Sequence, residues 1–158
     1  MKIGSLLIGL VVGVILVAAI GWQMMPGLML KEYQSPYGVE KTIETIKKNA
    51  IAEGWVVAGV STLSESVKKH GGGDLPPVRL INLCQAHHAF NILEQDSNKI
   101  VSVMMPCTIS VYQKTDGKTY VGTMNAGLLG KMFGGRVAEV MGVEVAEQQK
   151  KFIAFLQQ

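Results

Sequence analysis

Hydrophobic and polar positions divide this chain into two unlike parts. From Ile3 to Met25 no side chain is charged and most are Leu, Ile, Val, Ala or Gly, with Lys2 before the run and Lys31 and Glu32 after it. A helix rises about 1.5 Å per residue, so roughly 20 apolar residues match the roughly 30 Å of bilayer hydrocarbon, and the run predicts a membrane-spanning helix. Pro26-Gly27 is expected to end it just past Trp22, whose indole suits a membrane–water interface. A cleaved signal peptide has an apolar region of only about 7–15 residues before a small-x-small site. Here the run passes through Val17-Ala18-Ala19-Ile20 without a polar boundary. The expectation is an uncleaved signal anchor, residues 1–28, ahead of one domain, residues 29–158.

Lys2 and the amino group sit on the short side of the run. The positive-inside tendency then gives a single-pass protein of the inner (cytoplasmic) membrane, N-terminus cytoplasmic, with its C-terminal domain periplasmic or extracellular. Ser5, Gly9 and Gly13 recur every four residues and form a stripe of small side chains on which a second helix could approach closely. The partners this implies are the membrane itself and, through that helix, other subunits of a membrane complex or a second copy.

The body alternates helical and strand-like patterns. Val39, Ile43, Ile46 and Ala50 recur at helical spacing among charged residues, and Gly54 ends the segment. Trp55 to Val60 suits a buried strand, and Ser61 or Thr62 can cap a short helix that Gly71-Gly72-Gly73 stops. A strand is expected over Val78 to Leu83 and a helix over Ala86 to Gln95, with Ala86, Ala89, Phe90 and Leu93 on its apolar face. Asp96-Ser97-Asn98 breaks that helix. Two further strands, Pro106 to Tyr112 and Lys118 to Met124, are joined by Asp116-Gly117, read as a two-residue turn. From Asn125 onward the pattern is helical, with a break at Gly134-Gly135 and a bend expected at Gly142. Early alternation and a late hairpin define an α+β domain, an antiparallel sheet with helices on one face.

Composition narrows the function classes. The formal charge is +3, from 15 Lys and Arg against 12 Asp and Glu, with no basic run, so nucleic acid is not an expected partner. No Gly-x-Ser-x-Gly elbow is present, and Gly71-Gly72-Gly73-Asp74 lacks the spacing of a phosphate loop. Covalent c-type haem is excluded because neither cysteine is followed by His and there is no Cys-x-x-Cys-His.

Cys84, His87 and Cys107 are the candidate metal ligands. Cys84 and His87 stand three apart at a strand–helix junction, a separation that places side chains on one helical face, whereas adjacent His88 diverges by about 100°. Two thiolates and an imidazole could hold zinc, copper, iron or a non-covalent haem, with Met104 or Met105 adding a thioether. In an exported domain a disulfide between the two cysteines is the competing reading, and free thiols are a further one.

The stretches Leu83-Cys84-Gln85-Ala86-His87-His88-Ala89-Phe90-Asn91-Ile92-Leu93, Met105-Pro106-Cys107-Thr108-Ile109-Ser110-Val111-Tyr112 and Asp116-Gly117-Lys118 resemble the domain-of-unknown-function family DUF302, as does Gly54-Trp55. The resemblance spans about residues 30 to 130, with Gln85-Ala86 standing where the family usually has Asn-Pro. It implies a compact α+β fold of the TATA-binding-protein-like type, without DNA binding, and implies that Cys84 and Cys107 lie near each other. It carries no reaction with it. The expected function is therefore a non-enzymatic accessory subunit of a membrane complex, or alternatively a redox or metal-binding module built on Cys84, Cys107 and His87.

Overall fold

Leu30–Gln34 (β1), Val56–Thr62 (β2), Val78–Cys84 (β3), Cys107–Gln113 (β4) and Thr119–Met124 (β5) form one antiparallel sheet in the order β1-β5-β4-β3-β2. The helices are Ile3–Met29 (α1), Val39–Ala52 (α2), Leu63–Lys69 (α3), Ala86–Leu93 (α4), Ala126–Phe133 (α5), Gly135–Glu139 (α6) and Ala146–Phe152 (α7). A 3-10 stretch, Asp96–Met104, precedes β4, and a π-helical turn, Val140–Val145, joins α6 to α7. The computed structural model describes the backbone of residues 3–156 and the side chains of residues 9–156. Lys2, on which the expected orientation rests, lies outside the described residues.

The sheet follows from alternation. Ile81 and Leu83, Ile109 and Val111, and Val121 are 0–1% exposed, while the residues between them are only half-buried, so one face makes the core. Ile43, Ile46 and Ala50 of α2, Ile92 of α4, and Val137, Val140, Met141, Val145 and Phe152 of the C-terminal helices pack against it. Each of these Ile, Val, Met and Phe side chains contributes about 1.5–3 kcal/mol when fully buried. In sequence, α2 carries the chain from β1 at one edge to β2 at the other. Its Thr42 hydroxyl is buried, donates to Gly38 O and shares a hydrogen bond with Ser35 Oγ, which satisfies the polar groups at the helix entry.

Several local expectations change: the strand after Trp55 lies at the sheet edge, with Val56 63% and Val60 43% exposed, rather than buried. The α1 helix passes through Pro26 and ends at Met29, because Asn125 donates from its backbone N–H to Met29 O and from Nδ2 to Leu28 O, both at 2.8 Å. Those bonds supply partners for terminal carbonyls that a helix cannot satisfy internally. The β4–β5 hairpin closes on Lys114 N–H to Lys118 O, so its loop holds three residues rather than two, with Gly117 at φ +76°. On α4, Phe90 is 65% exposed while His88 and Ile92 are buried. Gln85 Oε1 accepts from His88 N–H, and that cap rotates the first turn so that His88 faces inward.

Candidate functional site

The ends of β3 and β4 bring the two cysteines together. Leu83 is paired with Cys107 across the ladder, so Cys84 stands diagonally next to it; both are half-buried thiols. Cys84, Cys107, Trp55, His88, Met104 and Met105 line one apolar cavity of about 30 Å³, and the Met105–Pro106 peptide beside it is cis. Space of that size holds one or two waters, and a haem does not fit it.

Burial pushes the Cys107 thiol up to about 11, and the neighbouring Cys84 adds to the rise. At neutral pH Cys107 is protonated, and a protonated thiol is a poor nucleophile.

His88, not His87, joins the thiols. His87 lies on the exposed side of α4, where its Nε2 is 3.1 Å from Asn91 Nδ2. The three-residue spacing fails as a guide because Cys84 belongs to a strand and the helix begins only at Ala86. Among the described residues no three His, Cys, Asp or Glu side chains gather as a metal site requires.

His88 is held by a network that sequence gave no means of finding. Gln148 Oε1, on α7, accepts from Trp55 Nε1 at 2.8 Å and lies 2.9 Å from His88 Nε2. An indole nitrogen can only donate, so the amide presents its oxygen, and His88 Nε2 must carry the proton it donates there. Nδ1 is then left buried without a hydrogen-bond partner among the described residues, 3.1 Å from Glu144 Oε2 but outside hydrogen-bond geometry. Trp55 packs edge-on to Phe152, with ring centroids 5.3 Å apart, and tilted against His88 at 5.9 Å. The indole thus links the cavity to the C-terminal helices. Of the small-residue stripe, Gly9 and Gly13 lie on bare helix surface with no atom within 4 Å of a Cβ position, whereas the Ser5 side chain lies outside the described residues.

An α+β domain with a five-stranded antiparallel sheet and a thiol pair at one sheet end is the class these features define. The model of the domain of unknown function DUF302 matches residues 31–156, and the chain belongs to that family. A crystal structure of an uncharacterized conserved DUF302 protein from Bacillus stearothermophilus superposes with a TM-score of 0.70 at 19% identity, covering 82% of this chain and 98% of that one. No curated protein matches the chain. The Asn-Pro departure at Gln85-Ala86 is compatible with the fold, since Gln85 caps α4 through its own amide oxygen.

Proposed function

We propose that the protein is a membrane-anchored, non-enzymatic accessory subunit of a larger membrane complex, its body held on the periplasmic or extracellular side. The observation that carries this reading is a helix span, Gly9–Met29, with a mean hydropathy of 1.9 and none of its most apolar window buried against the body. Such a helix is long and apolar enough to be an anchor or a signal sequence, and as a bare helix in water it would expose its full apolar surface. Blue-native electrophoresis in mild detergent tests the proposal. Migration in an assembly well above the mass of the chain is expected, and a lone monomer, or a mature chain beginning downstream of Ala19, overturns it.

A second reading is favoured by one observation, the shared cavity of Cys84, Cys107 and His88. The two thiols would release two electrons and two protons to a disulfide oxidant of the same compartment as they join, making the body a redox module. Intact mass before and after thiol alkylation, with elemental analysis of the purified chain, decides it. Two permanently free thiols and no metal remove this reading.

A further inference from the structure

A groove of about 760 Å³ runs between the last turns of α1 and the body, lined by Trp22, Met25 and Met29 on one side and Met104, Leu129 and Phe133 on the other. None of its ten lining residues is charged, and five are Met. Beside it, the 3-10 stretch holds Ile100 at 75% and Val103 at 85% exposure, and the end of α5 holds Met132 at 64% and Phe133 at 51%. Ile100 and Val103 are three apart, which stacks them on one side of a 3-10 helix, and Val103 adjoins the groove residue Met104. Scattered exposed apolar side chains are ordinary on a protein surface, but a continuous field of them marks an interaction site.

We propose that this face rests on the bilayer, with lipid acyl chains filling the groove between anchor and body. The proposal rests on reading α1 as a membrane anchor, because the groove continues the apolar surface of that helix directly onto the domain. Flexible Met side chains adapt to fluid chains better than to one rigid partner surface. Lys31 directly follows the groove residue Leu30 and Lys131 directly precedes Met132, and their long stems allow an ammonium to reach phosphate headgroups while the stem stays on apolar surface; Lys99, beside Ile100, is paired with Asp96. Trp22 lines the groove itself, and an indole suits the boundary between hydrocarbon and headgroups.

Full-length protein in phosphatidylcholine vesicles containing a lipid with a diazirine in its acyl chain tests this directly. After irradiation and digestion, mass spectrometry is expected to find adducts on peptides spanning Ile100 to Met104 and Leu129 to Phe133 as well as on α1. Adducts confined to α1 overturn the resting face and leave the anchor standing. An unlabelled α1 removes the anchor reading and this proposal with it. Body labelling that vanishes as the protein-to-lipid ratio is raised would assign the groove to a second copy and overturn the lipid assignment.

Discussion

Gly130 and Gly142 meet backbone to backbone. A Cβ placed on Gly130 would lie 2.3 Å from Gly142 N and 2.6 Å from its Cα, so α5 and the π-helical turn cross with no side chain between them. That crossing fixes the α5 end that carries Met132 and Phe133. Overpacking a tight contact costs about 1–3 kcal/mol, and here the obstacle is backbone, which cannot swing aside. Gly130→Ala is expected to lower stability by about 3 kcal/mol. Gly142→Ala meets its first atoms only at 3.2–3.4 Å and should cost less. Thermal unfolding of the full chain in detergent, followed by circular dichroism, ranks the two. Equal melting temperatures would refute the asymmetry.

Gln148 serves two donors with one oxygen. Replacing it with Leu leaves Trp55 Nε1 and His88 Nε2 without their acceptor, and a buried donor left unsatisfied costs about 1–3 kcal/mol. The Gln148→Leu variant should therefore lose about 2 kcal/mol or more, while Gln148→Glu, which keeps an acceptor at the same reach, retains most of that. Denaturant unfolding of the two variants in parallel checks the prediction. A Gln148→Leu chain as stable as the parent would show that the network carries no weight.

Cys107 makes the fold sensitive to alkali. Its folded pKa, about 11, stands above the ordinary thiol value of 9.0. Between these values the native state holds the proton more tightly than the unfolded chain, so stability falls as pH rises through the window and is whole below it. The full loss is on the order of 2–3 kcal/mol. Tyr112 and Tyr120 are also raised, Tyr112 to about 12, but their windows open only above 10. Between pH 9 and 10 the slope therefore belongs mainly to Cys107. Melting temperature against pH should decline there in the parent chain and flatten in Cys107→Ala, and a parallel decline in both would refute the assignment.

Local chemistry made most of this fold legible, and long-range packing hid the rest. Apolar spacing in 39–52 and the Gly134-Gly135 break, where both residues take positive φ, match observed elements. So does the hairpin, whose signal at Asp116-Gly117 is realised by Asp116 Oδ1 accepting from Lys118 N–H. Nothing in Asp96-Ser97-Asn98 distinguishes the start of a 3-10 stretch from a loop. Gly142 inside a helical pattern predicts a bend; instead the chain widens into a π-helical turn around the contact with Gly130, a relation between residues that no local pattern encodes. Periodicity puts Phe90 on the apolar face of its helix and leaves His88 off it. The inverse holds because Trp55 and Gln148, 93 residues apart, together create the polar niche that makes a buried histidine tolerable.

The junction between α1 and the body depends on Asn125. Its backbone N–H and Nδ2 hold Met29 O and Leu28 O at 2.8 Å, while its Oδ1 accepts from Leu128 N–H at 3.3 Å and caps α5. One side chain thus ends one helix and begins another. Loss of a cap of this kind costs about 1 kcal/mol, so Asn125→Ala should leave the domain folded. The backbone bond to Met29 survives the substitution, and β1 remains paired with β5. What changes is confined to the two helix ends. Amide exchange of the full chain in detergent should accelerate at residues 126–128, whose cap is gone, with the β4–β5 core unaffected. Asn125→Asp retains the acceptor for Leu128 and loses only the donor to Leu28, so it should restore slow exchange in α5. If both variants exchange like the parent, the side chain of Asn125 does not organise the junction.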